Sequence, residues 1–221
     1  MKIHFLNKSN NSKIVLFFAG WSFDYHPFLG LDFGDYDVLM IYDYNDLTIP
    51  EDILNILENY EQKYLLAWSM GVFVAYLNKN LFNQFDKKIA VNGTIKPVDN
   101  QYGIPDKIFE LTLKNASRGL NGKFYKNIFF DLKHYDKYLQ NPVSRTIDNR
   151  VEELNNLYQK IKSVDVDVSK FYDLAFVSVH DNIIPSQNQI NSHKLCNTEI
   201  VEIESGHFPY YGENGFLRFV K

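Results

Sequence analysis

Cysteine is almost absent. The single Cys196 in 221 residues excludes an intramolecular disulfide and suits a reducing compartment. Long hydrophobic runs are missing too: no stretch approaches the roughly 18 apolar residues that span a bilayer. The first residues, Met1-Lys2-Ile3-His4-Phe5-Leu6, turn polar at once and have no apolar core of an export signal, so the expectation is a cytoplasmic protein. No Cys/His cluster has metal-ligand spacing and no Gly-rich phosphate loop is present, so neither a metal nor a cofactor is expected. Positive charge is short as well. A net charge of −4 argues against general nucleic-acid binding. Internal repeats and low-complexity linkers are lacking. What remains, 45% hydrophobic and 16% aromatic residues, is the composition of a globular chain, and the length fits one domain over 1–221.

Seven apolar runs read as strands, near 2–6, 13–18, 36–42, 64–67, 88–92, 174–179 and 199–203. Helical patterns fall between most of them. Thr48-Ile49-Pro50-Glu51 has the form of a capping box with an early Pro, opening a helix whose Ile53, Ile56, Leu57 and Tyr60 keep helical spacing. Residues 212–220 read as a short closing helix. Strands alternating with helices imply an α/β architecture, a mostly parallel sheet covered on both faces.

The most informative five residues are Ala67-Trp68-Ser69-Met70-Gly71. They follow the apolar run Tyr64-Leu65-Leu66 and precede the helix-like Val72-Phe73-Val74-Ala75-Tyr76-Leu77. Strand, small residue, X, Ser, X, Gly, helix is the pattern of a nucleophile elbow. The sharp turn lifts the Ser hydroxyl off the sheet edge. It also puts the Met70 N–H at a helix N-terminus, where it can meet a developing oxyanion. The first small residue is Ala67, not the commoner Gly. Taken alone, these residues also leave open a Ser that merely caps a helix.

A Ser hydroxyl needs a base, and the base needs an orienting carboxylate. In this enzyme class the chain order is Ser, acid, His. The run Leu174-Ala175-Phe176-Val177-Ser178-Val179 leads into His180-Asp181, placing Asp181 just past a buried strand. The run Glu199-Ile200-Val201-Glu202-Ile203 leads into Glu204-Ser205-Gly206-His207. Ser69, Asp181 and His207 thus all follow strands directly, at the edge where open α/β sheets carry their functional groups. Asp43, after the strand ending at Tyr42, is the alternative acid. His180 is a rival base but precedes the acid. Cys196 has no strand–turn–helix frame. A second oxyanion donor is expected from the turn at Ala19-Gly20-Trp21, with Trp21 supplying its N–H and its ring walling the acyl pocket.

Residues 94–170 lack a convincing strand. Phe109, Leu111, Leu113, Phe124, Tyr125, Ile128, Phe129, Tyr135 and Tyr138 mix there with basic residues. This is expected to be a helical lid insertion, at about 95–170, in the position between the sixth and seventh strands where such sheets accept a cap over the site. A lid excludes water and shapes the pocket. Residues 105–163 hold 11 Lys and Arg against 7 Asp and Glu, while the remainder holds 12 against 20. The middle of the chain is a basic island on an acidic protein, which fits either solvated surface or a docking face for an acidic partner.

Several of these segments together resemble one family. Phe18-Ala19-Gly20-Trp21, Ala67-Trp68-Ser69-Met70-Gly71-Val72, Asn92-Gly93-Thr94, Pro97-Val98-Asp99, Gly103-Ile104-Pro105 and Ser205-Gly206-His207-Phe208-Pro209 are similar to those of the BioG-type pimeloyl-acyl-carrier-protein methyl ester esterases. The resemblance runs along nearly the whole chain. It implies an α/β-hydrolase fold and a role in biotin synthesis, in which the methyl cap of a pimeloyl chain on acyl carrier protein is hydrolysed. It further implies Ser69 as nucleophile, Asp181 as orienting acid, His207 as base, and Trp21 and Met70 as oxyanion donors. Trp21, Trp68 and Phe109 are the expected substrate contacts. Arg118, Lys123, Lys126, Arg145 and Arg150 are candidates for meeting the acidic carrier protein. Two other readings stand beside it: an esterase or thioesterase acting on another short acyl ester, and a non-catalytic binding protein on the same fold.

Overall fold

The computed structural model describes residues 1–120 and 122–221. Among these residues seven strands form one sheet in the order β1-β3-β2-β4-β5-β6-β7. They are β1 Lys2–Asn7, β2 Lys13–Phe18, β3 Asp37–Tyr42, β4 Gln62–Trp68, β5 Lys87–Val91, β6 Leu174–Ser178 and β7 Glu199–Ile203. β1 pairs antiparallel with β3; every other pairing is parallel. All seven expected strands are therefore present. All six residues of β3 and five of the six in β2 are buried, whereas β1 is mostly half-buried and four of the five residues of β7 are half-buried or exposed. Because successive side chains point to opposite faces, an unbroken buried strand means that both faces of the sheet centre are covered.

Among the described residues seven α-helices accompany the sheet: α1 Asp52–Leu57, α2 Met70–Leu77, α3 Asp106–Gly119, α4 Lys123–Ile128, α5 Leu132–Tyr138, α6 Ile147–Ser163 and α7 Ser186–Leu195. Two local expectations are corrected. No side-chain cap opens α1: Asp46 accepts the Thr48 N–H at 2.8 Å, so Thr48 sits in an Asp turn and not in a capping box. Ile53 and Leu57 still face the core, but Tyr60 lies beyond the helix. The closing segment is a 3₁₀ helix over Gly215–Phe219.

Helices α3 to α6 all fall between β5 and β6. That is between the fifth and sixth strands, one earlier than the sixth and seventh expected; the apolar runs at 88–92 and 174–179 are themselves the fifth and sixth. Among the described residues of this segment there is one isolated β-bridge, Val98 with Ile104, and no strand. The segment shares the core of the sheet. Phe23, in the turn after β2, touches Tyr125 of α4 at 5.7 Å between ring centres and Phe208 at 5.5 Å. Phe109 of α3 stacks on Tyr158 of α6 at 5.4 Å. Thr146 caps α6 by accepting the Asn149 N–H. Leu157 on that helix is fully buried. Leu157→Ala is expected to cost about 2–5 kcal/mol, the range for an aliphatic core truncation, read as a lowered urea midpoint with an unchanged denaturant slope.

Candidate active site

Ser69 stands between β4 and α2 with φ +57° and ψ −125°. A non-glycine residue seldom holds a positive φ, and doing so costs on the order of 1–3 kcal/mol. The surrounding backbone makes room for it. A Cβ at Gly71 would lie 2.4 Å from the Phe18 carbonyl oxygen, one at Gly93 would lie 2.4 Å from the Ser69 carbonyl oxygen, and one at Gly20 would lie 3.1 Å from Ser69 Cβ. Glycine at these positions lets three chain segments close on the turn. The Ser69 N–H donates to the Val91 carbonyl at 3.0 Å, tying the elbow to β5.

The loop after β7 brings His207 over this turn, and the loop after β6 brings Asp181 behind it. His207 Nε2 lies 2.8 Å from Ser69 Oγ, and His207 Nδ1 lies 2.8 Å from Asp181 Oδ2. Both His207 and Asp181 are buried. A carboxylate only accepts, so Nδ1 carries the proton and the Nε2 lone pair faces the serine hydroxyl. Asp181 is itself fixed. Its Oδ1 accepts the N–H groups of Ile183 at 2.8 Å and Ile184 at 3.0 Å, and its Oδ2 also accepts Gln189 Nε2 at 2.8 Å.

The rivals are accounted for elsewhere. Asp43 reaches the same sheet edge but pairs with Lys2 at 2.9 Å and Arg145 at 3.1 Å. Burial works against its charge, yet these cations and the Asn45 amide hold its pKa below the ordinary carboxylate value. His180 pairs with Glu204 at 2.9 Å and stacks on Phe130. Cys196 is buried, which raises its thiol pKa.

Met70 is the first residue of α2, where the leading N–H groups have no intrahelical acceptor. Trp21 follows Gly20 in the turn after β2, and the close approach of Gly20 to Ser69 puts that turn beside the elbow. A cavity of about 220 Å³ opens over Ser69 and His207, with Trp21, Trp68, Phe109 and Phe124 among its walls. The three expected aromatic contacts thus all line it. A second hollow of about 290 Å³ shares Trp21, Ile108, Thr112, Phe124 and Asn127 with the first and leads out along α3 and α4 to Lys123.

Of the basic residues singled out for docking, Arg118, Lys123 and Lys126 are exposed. Arg145 and Arg150 are not, and this corrects the expectation. The Arg145 side chain is buried between Asp43 and Glu153, which it meets at 3.1 and 2.8 Å. Arg150 is buried and donates to the Tyr125 hydroxyl at 2.5 Å. Two buried acids claim Arg145, and a phenol and a main-chain carbonyl claim Arg150.

Three residues hold the triad in place in ways the sequence did not assign to them. Asn92, with φ +45°, donates through Nδ2 to Ser178 Oγ, Gly206 O and His207 O, and its Oδ1 accepts the Ser178 N–H. Trp68 Nε1 donates to the same His207 carbonyl at 2.8 Å. These two residues set the height of the imidazole from its backbone. Gln189, which orients Asp181, is a polar residue within α7 with nothing in its neighbours to mark it. Asn92 stands in the Asn-Gly-Thr segment, and an Asn before Gly at a strand end is the one usable hint of a left-handed residue.

A parallel sheet bearing a strand–Ser–helix elbow, with His and Asp delivered from the next strand ends, defines an α/β-hydrolase. A solved esterase from Thermogutta terrifontis, 14% identical, shares this fold with a TM-score of 0.65 over 94% of this chain and 86% of its own. Residues 1–214 match the model of one family, described as pimeloyl-ACP methyl esterase BioG, and the chain belongs to that family. The crystal structure of BioG from Haemophilus influenzae is 32% identical, with a TM-score of 0.80 over 99% of this chain and 96% of that one. A Bacteroides fragilis protein named malonyl-[acyl-carrier protein] O-methyltransferase is 32% identical over 199 residues, which are 88% of this chain. The chain spans 39% of that relative's length.

One buried group behind the elbow makes stability depend on pH. His193 is buried in α7, and its Nε2 lies 2.9 Å from the Gly93 carbonyl; a carbonyl only accepts, so that nitrogen is protonated and the ring is neutral. Burial lowers its pKa to about 4, against the upward pull of the Gly93 carbonyl. Between about 4 and the ordinary value of 6.5 the unfolded chain binds a proton that the folded chain does not. Stability therefore falls as pH drops through this window, by roughly 3 kcal/mol at its lower end. Urea unfolding at pH 7, 5.5 and 4.5 is expected to show this loss, and His193→Gln, which keeps a donor but cannot titrate, should show a shallower slope.

Proposed function

We propose that this chain is a serine carboxylesterase that hydrolyses the methyl ester of pimeloyl-acyl-carrier protein, releasing methanol and the free terminal carboxylate in biotin precursor synthesis. One observation carries the chemistry: a continuous, buried chain of hydrogen bonds from Ser69 through His207 to Asp181 at the floor of an apolar cavity. Family membership supports the substrate. The methyltransferase name of the Bacteroides fragilis relative describes a chain of which this one spans 39%, so it is not carried over.

In this reading Ser69 Oγ attacks the ester carbonyl as His207 Nε2 takes its proton. The resulting imidazolium is stabilised by Asp181, and the oxyanion is met by the N–H groups of Met70 and Trp21. His207 returns the proton to the departing methoxide, which leaves as methanol. A water then gives its proton to Nε2 and its oxygen to the acyl carbon, and Ser69 is regenerated with the free acid.

Helices α3 to α6 act as a lid whose apolar inner side receives the pimeloyl chain. The hollow running past Phe124 to Lys123 is the path to the carrier protein, with Arg118, Lys123 and Lys126 as the exposed cations for its acidic surface. None of the described helices is long and apolar enough to cross a membrane, and the reading places the enzyme in the cytoplasm with its carrier.

Two experiments test it. Purified protein incubated with pimeloyl-acyl-carrier-protein methyl ester should yield the demethylated carrier, and Ser69→Ala should lower kcat about 10⁴-fold or more because the triad acts as a unit. A folded wild type that cleaves only unrelated short esters would keep the triad and discard the biotin role. Lys123→Glu with Lys126→Glu should raise KM several-fold for the carrier-bound ester, more so at low salt. A small free ester should keep its kcat/KM in the same variant.

A further inference from the structure

The turn that carries Trp21 is held from the helical segment between β5 and β6 as well as from the sheet. Ser22, the next residue, has φ +73° and is fully buried, so its conformation needs outside support. The turn's own bond, Phe23 N–H to the Gly20 carbonyl at 3.4 Å, is long, and three further contacts come from the helical segment between β5 and β6. Glu153 Oε2, on α6, accepts the Ser22 N–H at 3.1 Å. Tyr125 of α4 donates its hydroxyl to Ser22 Oγ at 3.1 Å, and that hydroxyl in turn accepts Arg150 Nη1 at 2.5 Å. Trp21 Nε1 donates to the Arg150 carbonyl at 2.7 Å. Glu153 has the widest reach. Its other oxygen, Oε1, accepts the Tyr44 N–H at 2.8 Å just past β3, and Tyr44 closes the circuit by donating its hydroxyl to the Ala19 carbonyl at 2.6 Å. The Glu153 carboxylate has no solvent contact; Arg145 lies 2.8 Å away and is shared with Asp43. Burial raises its pKa against the pull of Arg145 and of the two N–H donors. A carboxylate kept in such a place, spanning two loops at the functional edge, fixes geometry more than it adds stability.

On the far side, a Cβ at Gly20 would lie 2.9 Å from the Trp68 ring and 3.1 Å from Ser69 Cβ, so the turn has no room for a side chain toward the elbow. The peptide that presents the Trp21 N–H therefore sits between a rigid wall at the elbow and a polar clamp from the lid. We propose that Glu153 is a positioning residue for the oxyanion site: by binding the Ser22 N–H it holds the preceding peptide so that Trp21 presents its N–H to the tetrahedral intermediate, and it thereby makes that donor depend on the seating of α6. The inference rests on Trp21 and Met70 being the oxyanion donors. Glu153 touches no reacting atom; its effect passes entirely through residues 21 and 22. A seated lid gives two donors at the oxyanion, and a displaced α6 leaves only Met70.

The test is Glu153→Gln, which preserves shape but replaces one acceptor oxygen by an amide that cannot accept an N–H. Turnover of a soluble methyl ester and inhibition by a trifluoromethyl ketone, whose adduct with Ser69 places an oxyanion in the site, are measured together. The expected result is a fall in kcat of about 10- to 100-fold, short of or reaching the loss known for deleting one oxyanion donor. KM should stay within about threefold, and the ketone should weaken in step with kcat. A folded Glu153→Gln protein whose kcat and ketone affinity both stay within about twofold of wild type overturns the proposal. So does a loss of activity that tracks only the folded fraction. If the glutamine variant does not fold, Tyr125→Phe leaves every ion pair in place and removes one bridge to Ser22. It should lower kcat about three- to tenfold with ketone affinity following, and an unchanged kcat there is equally fatal. Failure of the esterase reading itself shows separately, as wild-type protein that a fluorophosphonate does not label at Ser69.

Discussion

Everything at the functional edge depends on how closely backbone can approach backbone at Ser69. The residue holds a left-handed φ of +57° with a side chain attached. That conformation survives because Gly71 lies against the Phe18 and Ala19 carbonyls and Gly93 lies against the Ser69 carbonyl, at distances no side chain would permit. The strain is local, and it is offset by the surrounding parallel strands, which are buried on both faces. From this one turn follow the outward hydroxyl, the free N–H groups at the start of α2, and the short distance to a histidine arriving from another strand end.

Polar groups then do what apolar packing cannot, which is to set orientation. Asn92 and Trp68 converge on the His207 carbonyl. Gln189 and two backbone N–H groups converge on Asp181. Glu153 on α6 and Arg145 just before it bond to the loops after β2 and β3. Each group is buried, so each would be costly if left unpaired, and this makes the arrangement close to all-or-none. The aromatic residues around Phe208 fill the space between these clamps and keep water away from them.

Much of this was legible in the sequence, for definite reasons. Strands β2 to β6 announce themselves because a parallel sheet covered on both sides needs uninterrupted apolar runs. Ser69, Asp181 and His207 could be ordered because each follows such a run directly. What the sequence hid is long-range polar pairing. Arg145 and Arg150 look like any surface cation in a basic stretch. Only the fold brings Asp43, Glu153 and Tyr125 to them, and it removes both from the surface. Thr48 was misread for a related reason: Asp46, two residues upstream, competes for the N–H that a cap arrangement would leave free. Gln189 and Asn92 gave no chemical signal, since their partners lie on other elements.

The Phe208 N–H donates to the carbonyl of Ile128, the last residue of α4, at 3.1 Å, and Gly206 leaves no room for a side chain beside the Phe129–Phe130 backbone. The segment above the site is thus joined by its main chain to the loop that bears the histidine. In terms of descent and engineering, this makes the lid a poor module. A lid grafted from a relative would need to bring a compatible backbone at 128–130, and the host would need glycine at 206. Changes of substrate range in this lineage should therefore accumulate as substitutions on the inner faces of α3 and α4 more readily than as exchange of the whole insertion.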